Sequence, residues 1–202
     1  MNSLVSPFKI FVEDLNYFKI EENKELGDEL KTYFSNPANN DLWKLSTHRQ
    51  TTTHALRFTE SINLRFLKAL PTEFDTIQSN EWMNIQQAER ANSGVFKKAM
   101  DWFEEILLST GAAHVEFGRI FVSKLATKSA IETHTDSGKY FNYYDRFHFT
   151  VTAAKENIFM IRDEECILEN DSLYWVNNHV AHWLENRSNE PRINFMIDAR
   201  LS

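Results

Sequence analysis

The sequence predicts an α+β fold that is mainly β: a double-stranded β-helix, or jelly roll, with a helical N-terminal half. Before Gly111, apolar residues recur at helical spacing, whereas after it short segments alternate apolar and polar residues. Strands with one polar and one apolar face suit a barrel that can enclose a ligand. We expect one domain over 1–202, with 1–111 as mostly helical support on the substrate side and 112–202 as the jelly-roll core.

Two helices are predicted in the first half. Residues 22–34 place Leu26, Leu30 and Phe34 at helical spacing, although Gly27 weakens the signal. Residues 93–109 form the clearest helix, with Asn92 or Ser93 as its expected N-cap. Its apolar stripe consists of Phe96, Met100, Phe103 and Leu107. Short strands are expected at 8–12, 54–58 and 64–67.

The second half is predicted to contain five strands, at 114–125, 145–152, 157–161, 172–176 and 192–199. The last of them alternates most clearly. Its apolar positions are Ile193, Phe195 and Ile197, and its polar positions are Arg192, Asn194 and Asp198. Because successive side chains of a strand point to opposite faces, these two sets face opposite sides of the sheet.

Composition limits the classes of function. The net charge of −7 argues against a general nucleic-acid-binding surface. Cys166 is the single cysteine, so the chain cannot form an intramolecular disulfide, and its acidic neighbours favour a structural thiol. We expect no signal peptide, no membrane span and a cytoplasmic location, because neither a basic start nor about 20 consecutive apolar residues is present.

The first candidate site is the segment Thr133-His134-Thr135-Asp136. Residues i and i+2 of a strand project to the same side, so His134 and Asp136 could offer a nitrogen and an oxygen to one metal ion. Alone the pattern is weak, since it also fits an ordinary surface loop.

A more distal histidine strengthens this interpretation. His182 would complete a set of two imidazoles and one carboxylate, which leaves coordination positions open as in non-haem Fe(II) oxygenases. His179 lies three residues earlier, and spacing alone does not decide between them.

Arg192 lies ten positions beyond His182 on a predicted strand. An arginine on the polar face of a barrel strand needs an anionic partner, and its planar fork suits the carboxylate of a co-substrate. The alternative is an ion pair with Asp198 or a surface glutamate.

Four stretches together resemble the aspartyl/asparaginyl β-hydroxylase family of 2-oxoglutarate oxygenases. They are FGRIFVSKL, IETHTD, DRFHFTV and NNHVAHWLENRSNEPRINFMID, within residues 117–198. The resemblance implies that iron is bound by His134, Asp136 and His182. It implies a 2-oxoglutarate site made of Arg192, Arg146, His148 and Ser123. Some animal members lack a carboxylate at the position of Asp136.

The chain also departs from the family pattern. The branch that hydroxylates peptides carries a basic residue two positions before Arg146, where this chain has Tyr144. The loop SGKYFNYYD is longer and rich in tyrosine. Both departures argue against an aspartyl peptide substrate. Because the loop directly follows two predicted metal ligands, we predict a substrate pocket between the barrel mouth and the N-terminal half, with Tyr144, Arg49 and His54 as candidate substrate contacts. The alternative is that these residues are scaffold or a solvated connector.

The predicted function is that of an Fe(II)- and 2-oxoglutarate-dependent dioxygenase. It would use dioxygen to hydroxylate an unactivated C–H bond of a small molecule, an amino acid or a peptide side chain. One alternative is a cupin-type metal enzyme that does not use 2-oxoglutarate. Another is a non-enzymatic jelly-roll binding module without a metal.

Overall fold

The computed structural model of the protein describes residues 14–44, 54–67, 82–83 and 94–202. The helices are α1 (Lys24–Ser35), α2 (Val95–Ser109) and the short α3 (Lys139–Tyr143), with 3₁₀ segments at Pro37–Lys44 and His54–Leu56. The strands in the first half are β1 (Tyr17–Glu22), β2 (Thr59–Leu67) and β3 (Trp82–Met83). Those that follow are β4 (Val115–Leu125), β5 (Ser129–His134), β6 (Asp145–Thr152), β7 (Asn157–Ile161), β8 (Glu164–Glu165), β9 (Ser172–Val176), β10 (His182–Asn186) and β11 (Arg192–Leu201).

The strands form two antiparallel sheets. The larger has the order β1-β9-β6-β11-β4-β2-β3, and the smaller has the order β5-β10-β7-β8. Side chains from the larger sheet, including Tyr174 and Val176, share an apolar cluster with Phe159, Ile161 and Leu184 of the smaller one, so the two sheets face each other. The prediction of a mainly β fold is confirmed; its finer form, a jelly roll, stays a prediction.

The larger sheet has a second face, which is covered by helices. Ile193, Phe195 and Ile197 of β11 pack in one core with Leu30 of α1 and Phe103 of α2. The opposite positions of β11, Arg192 and Asn194 among them, face the smaller sheet. The predicted alternation of this strand is therefore confirmed: one face packs in the core, and the other contributes polar side chains to the wall of a cavity.

Helix α1 is fixed to the sheet through Asp171, which precedes β9. The backbone carbonyl of Asp171 accepts a hydrogen bond from the Asn23 amide at 2.7 Å, and its carboxylate accepts one from Lys31 Nζ at 2.9 Å. A Cβ atom on Gly27 would collide with that carboxylate. The glycine that weakens the helix prediction is thus needed where the helix meets the sheet.

We expect Gly27→Ala to lower the free energy of unfolding by about 1–3 kcal/mol, the usual cost of overpacking. Helix propensity alone predicts the opposite sign, because alanine favours a helix over glycine by about 1 kcal/mol. Urea denaturation of both proteins measures the difference. Thr32→Ala, on an exposed position of the same helix, is the control. An unchanged or raised stability of the glycine variant would contradict the close contact.

The described part of the N-terminal half contains strands as well as helices, so a mostly helical half stays a prediction. Besides α1 and α2 it contributes β1, which pairs with β9, and β2, which pairs with β4. The strand predicted at 54–58 is a 3₁₀ turn, which Thr59 Oγ1 closes by donating to the Leu56 carbonyl at 2.7 Å. The residue before α2 that occupies the N-cap is Gly94, not Asn92 or Ser93.

The strand predicted at 8–12 lies outside the described residues. Strands β5 and β10 were not predicted, although they carry the two histidines of the candidate site. Within the described part of the chain, no helix is long and apolar enough to cross a bilayer.

Candidate metal and co-substrate site

Two strands of the smaller sheet bring the predicted histidines together. His134 is the last residue of β5 and His182 the first of β10, and they are directly opposed in the antiparallel register. Their ring centroids lie 4.3 Å apart. His182 lines the cavity between the sheets together with His134, whereas His179 does not.

Both imidazole rings are oriented by the same local contact. His134 Nδ1 lies 2.7 Å from the Glu132 carbonyl, and His182 Nδ1 lies 2.9 Å from the Val180 carbonyl. A proton on each Nδ1 satisfies these carbonyls and leaves the Nε2 lone pair for another partner, as metal-binding histidines do. Burial lowers the pKa of His182, so its neutral, ligating form is favoured.

The carboxylate of Asp136 lies beside this pair but has protein partners. Its Oδ2 accepts hydrogen bonds from Arg146 Nη1 at 2.5 Å and from Asn178 Nδ2 at 3.0 Å. Burial opposes its ionisation, but the Arg146 charge and the Asn178 amide outweigh that cost and lower the pKa of Asp136. Among the described residues, no three His, Cys, Asp or Glu side chains converge into a complete metal site. The convergence of all three predicted ligands stays a prediction.

A cavity of about 70 Å³ lies between the two sheets, next to the histidines. Its polar wall comes from the larger sheet: Ser123, Arg146, His148, Arg192 and Asn194. All four residues that were predicted to bind the co-substrate therefore line the same cavity, and the two histidines line it as well. Apolar side chains, including Leu56, Ile131, Phe159 and Trp183, form much of the remaining wall.

Arg192 is buried in this wall, with 4% of its surface exposed. No carboxylate among the described residues lies within ion-pair distance of its guanidinium, and its Nε has no hydrogen-bond partner. When the side-chain amide of Asn194 is turned over so that its oxygen faces Arg192, Asn194 Oδ1 accepts a hydrogen bond from Arg192 Nη2 at 3.0 Å. Burial lowers the pKa of Arg192 to about 10, so it remains charged at neutral pH.

The alternative pairing of Arg192 with Asp198 is wrong, because Asp198 is engaged elsewhere. Arg146 forms a fork with it, through Nε to Oδ1 at 2.7 Å and Nη2 to Oδ2 at 3.0 Å. Arg119 Nε donates to the same Oδ2 at 3.0 Å. Arg146 lines the cavity as expected, yet all three of its nitrogens are directed at carboxylates of the protein.

His148 lies between these two arginines. Burial and the neighbouring charges of Arg146 and Arg192 keep its pKa well below the ordinary value, so the ring is neutral. Its Nδ1 is buried and has no hydrogen-bond partner within the described residues. The ring stacks on Phe159 at a centroid distance of 6.0 Å. A buried polar atom without a partner in a cavity wall marks a place where a ligand can bind.

Of the residues predicted for substrate contact, the two described ones, Tyr144 and His54, do not line the cavity. Tyr144 is buried against Tyr140, and its hydroxyl donates to Glu116 Oε1 at 2.7 Å; its contact with substrate stays a prediction. His54 is largely exposed, and Arg57 Nη1 donates to its Nδ1 at 2.9 Å; Leu56, two residues later, lines the cavity instead. Arg49 lies outside the described residues.

Sequence reasoning missed two amides in the cavity wall, Asn178 and Asn194. Both lie in a segment that carries the family resemblance: Asn178 in the asparagine pair before His179, and Asn194 on the polar face of the last strand. Their position beside predicted site residues was the available signal.

The sequence matches the family model of aspartyl/asparaginyl β-hydroxylases over residues 23–201. No curated protein matches the chain. Among solved structures, it is similar to a viral collagen prolyl hydroxylase from Paramecium bursaria Chlorella virus-1 in complex with 2-oxoglutarate. That similarity has 12% identity, a TM-score of 0.55 and coverage of 94% of this chain and 98% of the other.

Two further structures share this architecture. One is a 2-oxoglutarate–Fe(II) oxygenase family oxidoreductase from Burkholderia pseudomallei, with 9% identity, a TM-score of 0.54 and coverage of 96% and 88%. The other is a nickel complex of the non-haem monooxygenase ThoJ, with 11% identity, a TM-score of 0.53 and coverage of 94% and 75%. At these identities the likeness concerns the fold, whereas the family match spans most of the sequence. The chain belongs to the aspartyl/asparaginyl β-hydroxylase family.

Proposed function

We propose that the protein is an Fe(II)- and 2-oxoglutarate-dependent dioxygenase. It hydroxylates an unactivated C–H bond of a small molecule, an amino acid or a peptide side chain. When bound, the iron and 2-oxoglutarate supply the oxidation, in which dioxygen, 2-oxoglutarate and the substrate give succinate, carbon dioxide and the hydroxylated product. Family membership and the likeness to 2-oxoglutarate oxygenases support this reaction type.

The observation that carries the proposal is the buried guanidinium of Arg192 in the wall of the histidine-lined cavity. A buried charge without a counter-ion is costly, so a site of this kind needs an anion to fill it. A dicarboxylate whose other end lies near His134 and His182 would supply that anion. A cupin-type metal enzyme that acts on a neutral substrate would have no use for such a charge.

Each part of the site has a task in this proposal. His134, His182 and Asp136 would hold the metal, the histidines through Nε2. Arg192 would bind the far carboxylate of 2-oxoglutarate, with Ser123 and His148 as further polar contacts. The apolar part of the wall, such as Leu56 and Trp183, would exclude water from the reaction.

The test is the release of succinate by the purified protein in a screen of metabolites, amino acids and peptides. We expect release to require both added Fe(II) and 2-oxoglutarate, and to increase with a true substrate. Metal binding without any use of 2-oxoglutarate would favour a cupin-type enzyme. A protein that binds neither would be a binding module, and the proposal would fail.

A further inference from the structure

We propose that Arg146 and Asn178 are positioning residues for the carboxylate of Asp136, and that Asp198 holds Arg146 in place for this task. The inference rests on the proposed function, in which Asp136 is a metal ligand. It gives Arg146 a task in addition to the contact with 2-oxoglutarate that the family resemblance implies.

The two oxygens of Asp136 have different surroundings. Oδ2 accepts from Arg146 Nη1 at 2.5 Å and from Asn178 Nδ2 at 3.0 Å. Within the described residues, Oδ1 accepts no hydrogen bond. Because both donors act on one oxygen, they fix the rotation of the carboxylate and leave Oδ1 as the atom to coordinate a metal.

Asn178 fixes the main chain of Asp136 as well as its side chain. The Asp136 amide donates to the Asn178 carbonyl at 2.9 Å. This bond joins the segment after β5 to the segment before β10, the two strands that carry His134 and His182. One buried asparagine therefore ties the third proposed ligand to the other two.

Arg146 is held from its other side. Asp198 receives Arg146 Nε and Nη2 in a two-pronged contact, which fixes both the position and the plane of the guanidinium. Tyr140, in the short helix α3 that follows Asp136, donates its hydroxyl to Asp198 Oδ2 at 3.0 Å. The third nitrogen, Nη1, is thereby directed at Asp136.

The test is the dissociation constant of Mn²⁺, an oxygen-stable substitute for Fe(II), measured by isothermal titration calorimetry. We expect Asn178→Ala and Arg146→Lys each to weaken metal binding about 10- to 100-fold, the usual effect of losing a group that orients a metal ligand. With metal saturating, the affinity of Asn178→Ala for 2-oxoglutarate should stay within a factor of a few of the wild-type value.

The matched control is Asn177→Ala. Asn177 is also buried, but its side chain donates to the Leu15 carbonyl at 3.1 Å and does not contact Asp136. We expect its metal affinity to be unchanged, so that a general effect of losing a buried amide is separated from the effect on Asp136. Thermal denaturation identifies variants that fail to fold, and Asn178→Ala decides the question if Arg146→Lys is one of them.

Two results would overturn the inference. Unchanged metal affinity in Asn178→Ala would show that Asp136 needs no such support. Tighter binding in Arg146→Lys would show that Arg146 competes with the metal for Asp136. His134→Ala separates these results from a failure of the proposed function, because a wild-type affinity in that variant would mean that the metal is not held at this site at all.

Discussion

Arg192→Ala is expected to raise the 2-oxoglutarate concentration needed for half-maximal turnover by about 30- to 4,000-fold. Removing one partner of a buried charge pair costs about 2–5 kcal/mol, and each 1.4 kcal/mol is a factor of ten in affinity. Arg192 is buried and without a carboxylate partner in the described structure, so the co-substrate would be its counter-ion. The measurement is the KM for 2-oxoglutarate, together with the Mn²⁺ dissociation constant, which should not change.

Two further variants make this result specific. Arg187→Ala removes an exposed arginine that pairs with Glu185 at 2.7 Å, and it should leave the KM unchanged. Arg192→Lys keeps the charge but loses the planar fork, and it should give an intermediate KM. A wild-type KM for Arg192→Ala would remove Arg192 from the co-substrate site.

His134→Ala and His182→Ala are each expected to abolish measurable turnover. Each variant removes one of two adjacent imidazoles. Losing a group that only orients a metal ligand weakens metal binding about 10- to 100-fold, and losing a ligand itself should weaken it more. Calorimetry with Mn²⁺ and iron content after anaerobic loading measure the loss directly.

His114→Ala is the control, because His114 is exposed just before β4 and does not line the cavity. Its metal affinity and turnover should match the wild type. If His182→Ala retained the metal while His179→Ala lost it, the assignment of the distal ligand would pass to His179.

The secondary structure could be predicted from the sequence where burial alone determined which residue types a position accepts. On β11 the core face needs apolar residues, so the alternation of Ile193, Phe195 and Ile197 was readable. Strands β5 and β10 were not, because His134 and His182 occupy positions where an ordinary strand would carry apolar side chains. Gly27 was ambiguous for a similar reason, since its requirement comes from Asp171, far along the chain.

In the candidate site, the sequence did not predict which side chains would form ion pairs or hydrogen bonds with residues far along the chain. The sequence placed Arg192 on a polar strand face but could not decide whether Asp198 was its partner, and the structure assigns that carboxylate to Arg146 and Arg119. Tyr144 seemed suited to contact substrate because it follows the first predicted ligands. Its hydroxyl binds Glu116, 28 residues earlier. Such partners depend on strand register, which local sequence does not encode.

The position of β11 in the larger sheet has a consequence for the order of folding. This strand comes last among those described, yet it lies in the interior of the sheet, hydrogen-bonded to β4 on one side and β6 on the other. Until it inserts, β4 and β6 have no common neighbour, and pairings so distant in sequence form slowly. Arg192 and Asp198 both reside on this strand, so binding competence should not appear before β11 has inserted between β4 and β6.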